Sequence, residues 1–170
     1  MPPPDPEIFS LATTVGERLR RQRRWLAVAE SCTGGLLGAA LTDVPGSSAY
    51  FLGGVISYAD RVKVEQLLVP EELLRQYGAV SEPVAAAMAV GVRQLLRADI
   101  GVSITGVAGP DAEGSKPAGL TFIGIDAPTL PTPASGGGTA HQFQWTGDRW
   151  DNRRRSVVAA LELLVQALGQ

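Results

Sequence analysis

At 170 residues the chain has the length of one domain, and its 45% hydrophobic and 19% charged residues describe a globular polypeptide rather than a disordered one. A net charge of −2 and a pI near 5.4 argue against a dedicated nucleic-acid binder, and no apolar run approaches the roughly 18 residues that a membrane span needs. One cysteine rules out an internal disulfide, and with a single histidine it leaves too few ligands for a structural zinc site; no cofactor is expected.

Residues 1–6, Met-Pro-Pro-Pro-Asp-Pro, lack the charged and apolar regions of a signal peptide and read as a flexible start of a cytoplasmic protein. Asp5-Pro6 is a cap followed by an N1 proline, and Ile8, Leu11, Ala12, Val15 and Leu19 then trace one helical face. Arg20, Arg21, Arg23 and Arg24 close that helix as a solvated end, where cations complement the helix dipole. Residues 25–29 form a short apolar strand, and Leu36, Leu37, Ala40 and Leu41 predict a helix over 34–43. Pro45-Gly46-Ser47-Ser48 is a loop. Residues 51–58 are β-rich, and Gly53-Gly54 marks a bulge or a close backbone approach.

Pro70 starts a short helix that Gly78 ends, and Ser81-Glu82-Pro83 opens an alanine-rich helix to about Ala98. Strands follow at 100–105 and 120–125. Residues 127–138 are rich in Pro, Thr, Ser and Gly and read as a mobile loop. An edge strand at 139–145 and a terminal helix at 150–168 complete the chain. Strands alternating with helices imply an α/β sandwich, a sheet covered on both faces. The helices at 82–98 and 150–168 are apolar enough for either to carry a homodimer interface.

Three segments can carry chemistry. The first is Glu30-Ser31-Cys32-Thr33-Gly34-Gly35, at a strand-to-helix turn. A hydroxyl there is either an ordinary helix cap or a nucleophile backed by the free N–H groups of a helix N-terminus. Amides of Thr33 to Gly35 are the expected oxyanion donors. His141, the only histidine, lies in the edge strand and reads as a surface residue, so no Ser-His-Asp triad is available. Lysine can replace histidine as a base when its pKa is lowered, and the chain has two lysines against thirteen arginines. Lys63 and Lys116 are therefore both candidates.

The second segment runs from Ser103 through Thr105, Gly106 and Gly109 to Asp111, beyond an apolar strand. Glycines let a ligand approach the backbone, and the hydroxyls of Ser103 and Thr105 can orient it; a plain loop is the competing reading. The third is Gly147-Asp148-Arg149, followed by Arg153, Arg154 and Arg155. Cations in the first turns of a helix oppose its dipole, so Asp148, Asp151 or a ligand phosphate must offset them.

In order along the chain, Ala29 to Gly35, Gly46-Ser47-Ser48, Ser57-Tyr58 with Lys63, Gly78 to Pro83, Ser103 to Pro110, Lys116 to Gly119 and Gly147-Asp148-Arg149 resemble the CinA C-terminal-domain family, the nicotinamide-nucleotide amidohydrolases. The resemblance covers residues 7–168. It implies a three-layer α/β/α sandwich around a mixed, mostly parallel sheet, one domain over 1–170, and metal-free hydrolysis of nicotinamide mononucleotide to nicotinic acid mononucleotide and ammonia. Ser31 matches the family's nucleophile, Lys63 its general base and Tyr58 the residue that assists them. The resemblance also makes Glu30, Thr33, Gly34, Gly35, Ser48, Ser103, Thr105, Gly106 and Gly109 substrate contacts, with Arg149 and Arg153 as candidates for the phosphate. The implied partner is a small nucleotide, not nucleic acid or membrane. The chain departs from the family at Ala59, often serine, and at Asp111-Ala112-Glu113, usually richer in glycine. Two other readings stay open: a non-catalytic nucleotide- or partner-binding module, and a cysteine enzyme through Cys32.

Overall fold

The computed structural model describes residues 5–128 and 138–169. Helix α1 spans Pro6–Gln22, and the Asp5 carboxylate accepts hydrogen bonds from the Glu7 and Ile8 amides. Its apolar face is driven into the core: Ala12, Val15 and Leu19 are wholly buried. Each large aliphatic side chain so removed from water contributes about 1.5–3 kcal/mol. Strand β1 (Leu26–Glu30) is buried along its whole length, as befits a central parallel strand. Helix α2 (Leu36–Thr42) and a 3₁₀ turn at Ser47–Ala49 lead to β2 (Phe51–Ile56). Helices α3 (Asp60–Leu67), α4 (Glu71–Tyr77) and α5 (Glu82–Leu96) follow, then β3 (Ile100–Gly106), β4 (Leu120–Asp126), β5 (Thr139–Gln144) and α6 (Arg149–Leu168).

The strands form one sheet in the order β2-β1-β3-β4-β5. β1 pairs parallel with β2 and β3, while β4 runs antiparallel to both β3 and β5. Four strands thus share one direction and β4 opposes them, giving the mixed, mostly parallel sheet. One face is covered by α1, α2 and α6, whose side chains join Leu26, Val28, Ile100, Val102, Ile104 and Ile123 in the main core. The other carries α5, with α3 and α4 packed on it, over Ala27 and Ala29. The result is a three-layer α/β/α sandwich.

Two glycines set this geometry. At Gly54 a Cβ would lie 2.6 Å from the Val28 carbonyl oxygen, so β2 can close on β1 only without a side chain there, and the register slips beside it at Leu26/Ala27. At Gly91 a Cβ would lie 2.0 Å from the Leu67 carbonyl oxygen, so the end of α3 sits directly on α5. That contact fixes the helix bearing Lys63.

Some expectations need correction. Asp5 and Pro6 are the cap and first turn of α1, so the flexible start expected over 1–6 does not extend to them. Residues 1–4 lie outside the described residues, as do 129–137 of the loop expected at 127–138; Ala127 itself is buried. The main apolar stripes of α5 and α6 face the core through Val84, Met88, Val92, Val157, Leu161 and Leu164, while Ala86, Ala87 and Val90 of α5 are only partly covered. No helix among the described residues is long and apolar enough to cross a membrane.

Candidate active site

The carboxyl ends of β1, β2 and β3 open on one side of the sheet, where α/β folds hold their ligands. A cleft of about 240 Å³ lies there, lined by Ser31, Tyr58, Asp60, Lys63, Thr105, Gly106, Gly109 and Arg149 among others. Ser31 follows β1 directly and is pinned by its own amide, which donates to the Ile104 carbonyl at 2.9 Å. Ser57 follows β2 and is held likewise by the Glu30 carbonyl at 2.7 Å. Strand pairing thus continues one residue past each strand and fixes both sides of the site.

Lys63 is 1% exposed, on the first turn of α3. Its amine donates to the Ser31 hydroxyl oxygen at 3.3 Å, the Ser57 and Tyr58 carbonyls at 2.8 and 3.2 Å, and Asp60 Oδ1 at 3.4 Å. Burial pushes its pKa below the ordinary lysine value, while Asp60 and, more weakly, Glu113 pull it back up. A lysine so placed is within reach to accept a proton from the serine beside it. Lys116 instead sits in a loop bridge with Glu113, outside the cleft lining.

Glu30 is not in the cleft. Its carboxylate points under α2 and accepts from the amides of Gly35 at 3.0 Å, Leu37 at 3.1 Å and Gly38 at 2.8 Å. Alternation along β1 explains this, since Glu30 and Ser31 project to opposite faces. The expected donors change with it. Gly35 N–H is taken by Glu30 and Gly34 N–H by the Ser31 carbonyl at 3.1 Å. Among the described residues, the Thr33 N–H meets no acceptor and the Cys32 N–H lies only against its own thiol, and these two replace Gly34 and Gly35 as candidate oxyanion donors.

The other expected contacts divide. Thr105, Gly106, Gly109 and Arg149 line the cleft, although the Thr105 hydroxyl is already committed to the Ala79 carbonyl at 2.9 Å. Ser103 is wholly buried and donates to the Ala85 carbonyl at 2.6 Å, so it ties β3 to α5 rather than facing a ligand. Ser48 is exposed on the turn before β2, at the opposite end of that strand from the cleft. Gly34 and Gly35 shape the turn with positive φ and do not line the cleft, and neither does Thr33.

Tyr58 is 62% exposed on the rim. Its phenol meets Arg149 at 3.4 Å, not Ser31 or Lys63. Arg149 also donates to the Gly109 carbonyl at 2.6 Å, joining α6 to the glycine loop. Arg153 lies off the cleft and donates to the carbonyls of Cys32 and Thr33. Arg154 pairs with Asp5 and Glu7, and Arg155 with Asp151, which answers the excess of cations at this helix start. The Asp148 side chain caps the helix by accepting from the Asp151 amide.

Cys32 is buried, and its thiol is pushed up to about 12, chiefly by burial. It is a poor nucleophile at neutral pH. His141 is exposed on β5, as expected. Asp60 and Asn152 were not singled out from the sequence. Asp60 stands three residues before Lys63, a helical spacing that brings them together. Asn152 is buried and donates to the Ala108 carbonyl at 3.0 Å, steadying the loop from beneath.

Comparison with known proteins places the chain among its relatives. The model of the family described as CinA C-terminal domain matches residues 8–168. A CinA-like protein of Microcystis aeruginosa is 48% identical over 156 residues, which are 91% of this chain and 36% of that protein. One from Parasynechococcus marenigrum is 46% identical over 160 residues, 94% of this chain and 37% of that protein. The chain therefore spans little more than a third of these curated relatives. Among solved structures, the competence/damage inducible protein CihA of Agrobacterium tumefaciens superposes with a TM-score of 0.89 at 34% identity, covering 100% of both chains. A CinA superfamily protein of Klebsiella pneumoniae gives 0.87 at 32% identity, over 95% of this chain and 97% of that one. With the family model matching residues 8–168 and a solved relative superposing over the whole chain, the chain belongs to the CinA C-terminal domain family.

Proposed function

We propose that this protein is an amidohydrolase that converts nicotinamide mononucleotide to nicotinic acid mononucleotide and ammonia through a serine–lysine acyl-enzyme, as a step of pyridine nucleotide salvage. The observation that carries the reading is the buried Lys63 amine, 3.3 Å from the Ser31 hydroxyl oxygen at the floor of the cleft. A carboxamide resists direct hydrolysis, and a covalent route divides the barrier.

In its neutral form Lys63 takes the Ser31 proton as the hydroxyl oxygen bonds to the amide carbon. The Cys32 and Thr33 N–H groups hold the oxygen that becomes negative; one such donor is worth about 10²–10³ in rate. Lys63 returns the proton to the leaving nitrogen, the C–N bond breaks and ammonia departs. Water then attacks the ester with Lys63 again as base, and Ser31 recovers its proton. Arg149, on the rim, is the group placed to meet the nucleotide phosphate. The phenol of Tyr58, held by Arg149, closes the same side of the cleft.

The test is ammonia release from nicotinamide mononucleotide by the purified protein, beside its Ser31→Ala variant. Release by the wild type alone supports the reading. No release, or equal release by both, removes it. A binding module that holds the nucleotide unchanged is the other reading of the cleft, and binding without turnover in the same assay selects it.

A further inference from the structure

We infer that Arg153 is a positioning residue that aims the oxyanion donor at the serine turn, and does not bind the substrate phosphate. This rests on the amidohydrolase reading and deepens it. The guanidinium reaches across from α6 and donates to two successive carbonyls, Cys32 at 3.1 Å through Nε and Thr33 at 2.9 Å through Nη2. It lies beside Trp150, 5.6 Å from the ring centroid, and is not part of the cleft lining.

The consequence follows from the peptide unit. Among the described residues the only cis bond is Gly109–Pro110, so the 32–33 and 33–34 peptides are trans. In a planar trans peptide the C=O and N–H point to opposite edges. A Cys32 carbonyl drawn toward Arg153 turns the Thr33 N–H away from it. A Thr33 carbonyl drawn the same way turns the Gly34 N–H away, and that N–H indeed meets the Ser31 carbonyl at 3.1 Å. The Thr33 N–H has no acceptor among the described residues. Arg153, together with the Leu36 N–H that also donates to the Thr33 carbonyl at 3.2 Å, thus locks two peptide planes, one closing the turn and the other fixing the direction of the Thr33 N–H, directly behind the cleft-lining Ser31 and Cys32. The two bonds leave from separate nitrogens of one rigid plane, Nε and Nη2, a spacing that the single nitrogen of a lysine on its shorter reach does not reproduce.

This separates Arg153 from Arg149. A phosphate ligand tolerates lysine, which keeps the charge, whereas a two-carbonyl fork does not. Steady-state kinetics of Arg153→Lys and Arg153→Ala on nicotinamide mononucleotide and nicotinamide riboside make the test, with thermal melts alongside. In Arg153→Lys, kcat should fall about tenfold to a hundredfold on both substrates while KM stays within about threefold, the size of effect expected when one oxyanion donor is misaligned. Millimolar guanidinium ion should restore a large part of kcat to Arg153→Ala and none to Ser31→Ala. Unchanged kcat in Arg153→Lys, or a rise in KM confined to the phosphorylated substrate in Arg153→Ala, would overturn the assignment. If the wild type releases no ammonia, the amidohydrolase reading fails separately. The variants are then compared by the rate at which a fluorophosphonate labels Ser31: a slower rate in Arg153→Lys supports the positioning role, and an equal rate defeats it.

Discussion

Lys63 Nζ stands 3.3 Å from Ser31 Oγ although 32 residues separate them in sequence. Two strand ends and one short helix make that approach. Ser31 leaves β1, Ser57 and Tyr58 leave β2, and α3 returns Lys63 over their carbonyls. The amine has four oxygen acceptors in reach, whereas an ammonium has three protons to give. Its hydrogen bonds suit the protonated form and its burial the neutral one.

Ser31→Ala and Lys63→Ala should each lower kcat by about four orders of magnitude or more, with the double variant no worse, because the two groups act as one unit. Lys63→Arg should be equally inactive, since a guanidinium does not give up its proton at usable pH. Ammonia assays and circular dichroism on the three variants check this. Substantial turnover by Lys63→Arg would exclude lysine as the base.

Asp60 gives a prediction with a definite sign. Its carboxylate favours the charged form of Lys63. Turnover needs the neutral form, so activity should rise with pH as Lys63 loses its proton. Asp60→Asn removes the negative charge, lowers the Lys63 pKa further and moves the acid limb of the kcat/KM profile to lower pH. A limb that stays in place or moves to higher pH would show that another group sets it.

Arg149 should govern selection of the phosphate. Arg149→Ala should reduce kcat/KM for nicotinamide mononucleotide by roughly tenfold to a hundredfold, the worth of a charge-assisted hydrogen bond, and affect nicotinamide riboside far less. The ratio of the two substrates in wild type and variant measures it. An unchanged ratio would place the phosphate elsewhere.

Cys32 should be dispensable for chemistry. Cys32→Ala should keep kcat within about threefold, and iodoacetamide should react slowly at neutral pH, because a thiol held near 12 is almost wholly protonated. Rapid alkylation with loss of activity would contradict its burial.

Glu30 should act on stability. Glu30→Ala leaves three amides of the α2 start without their acceptor. A cost of about 2–3 kcal/mol is expected, lowering Tm by roughly 4–12 °C in a chain of this size. KM in the surviving folded protein should not change. A variant of wild-type Tm with a raised KM would return Glu30 to the substrate.

The layers and most helix ends were legible in the sequence, because apolar period and capping residues mark them locally. Asp5-Pro6, Gly78 and Ser81-Glu82-Pro83 each stand where a helix begins or ends. The scarcity of other bases narrowed the choice to Lys63 and Lys116, and the fold brings only Lys63 beside Ser31. The roles of the neighbouring polar residues were not legible. Glu30, Ser48 and Ser103 share motifs with cleft residues, yet one caps a helix, one lies at the far end of its strand and one ties β3 to α5. Sequence places a residue beside a site, while strand alternation and the strand's two ends decide whether it faces in. Arg153 and Arg149 differ by four positions on one helix, and only the tertiary fold gives one of them carbonyls to hold and the other a cleft to line.

The carboxylate beneath α2 has a wider consequence. The helix carries its own counter-ion, fixed covalently one residue before Ser31. Sulfate or phosphate in the medium finds no unclaimed amides on Gly35, Leu37 or Gly38. The start of α2 is therefore neutralised by the chain itself, whether the surrounding solution is rich or poor in anions.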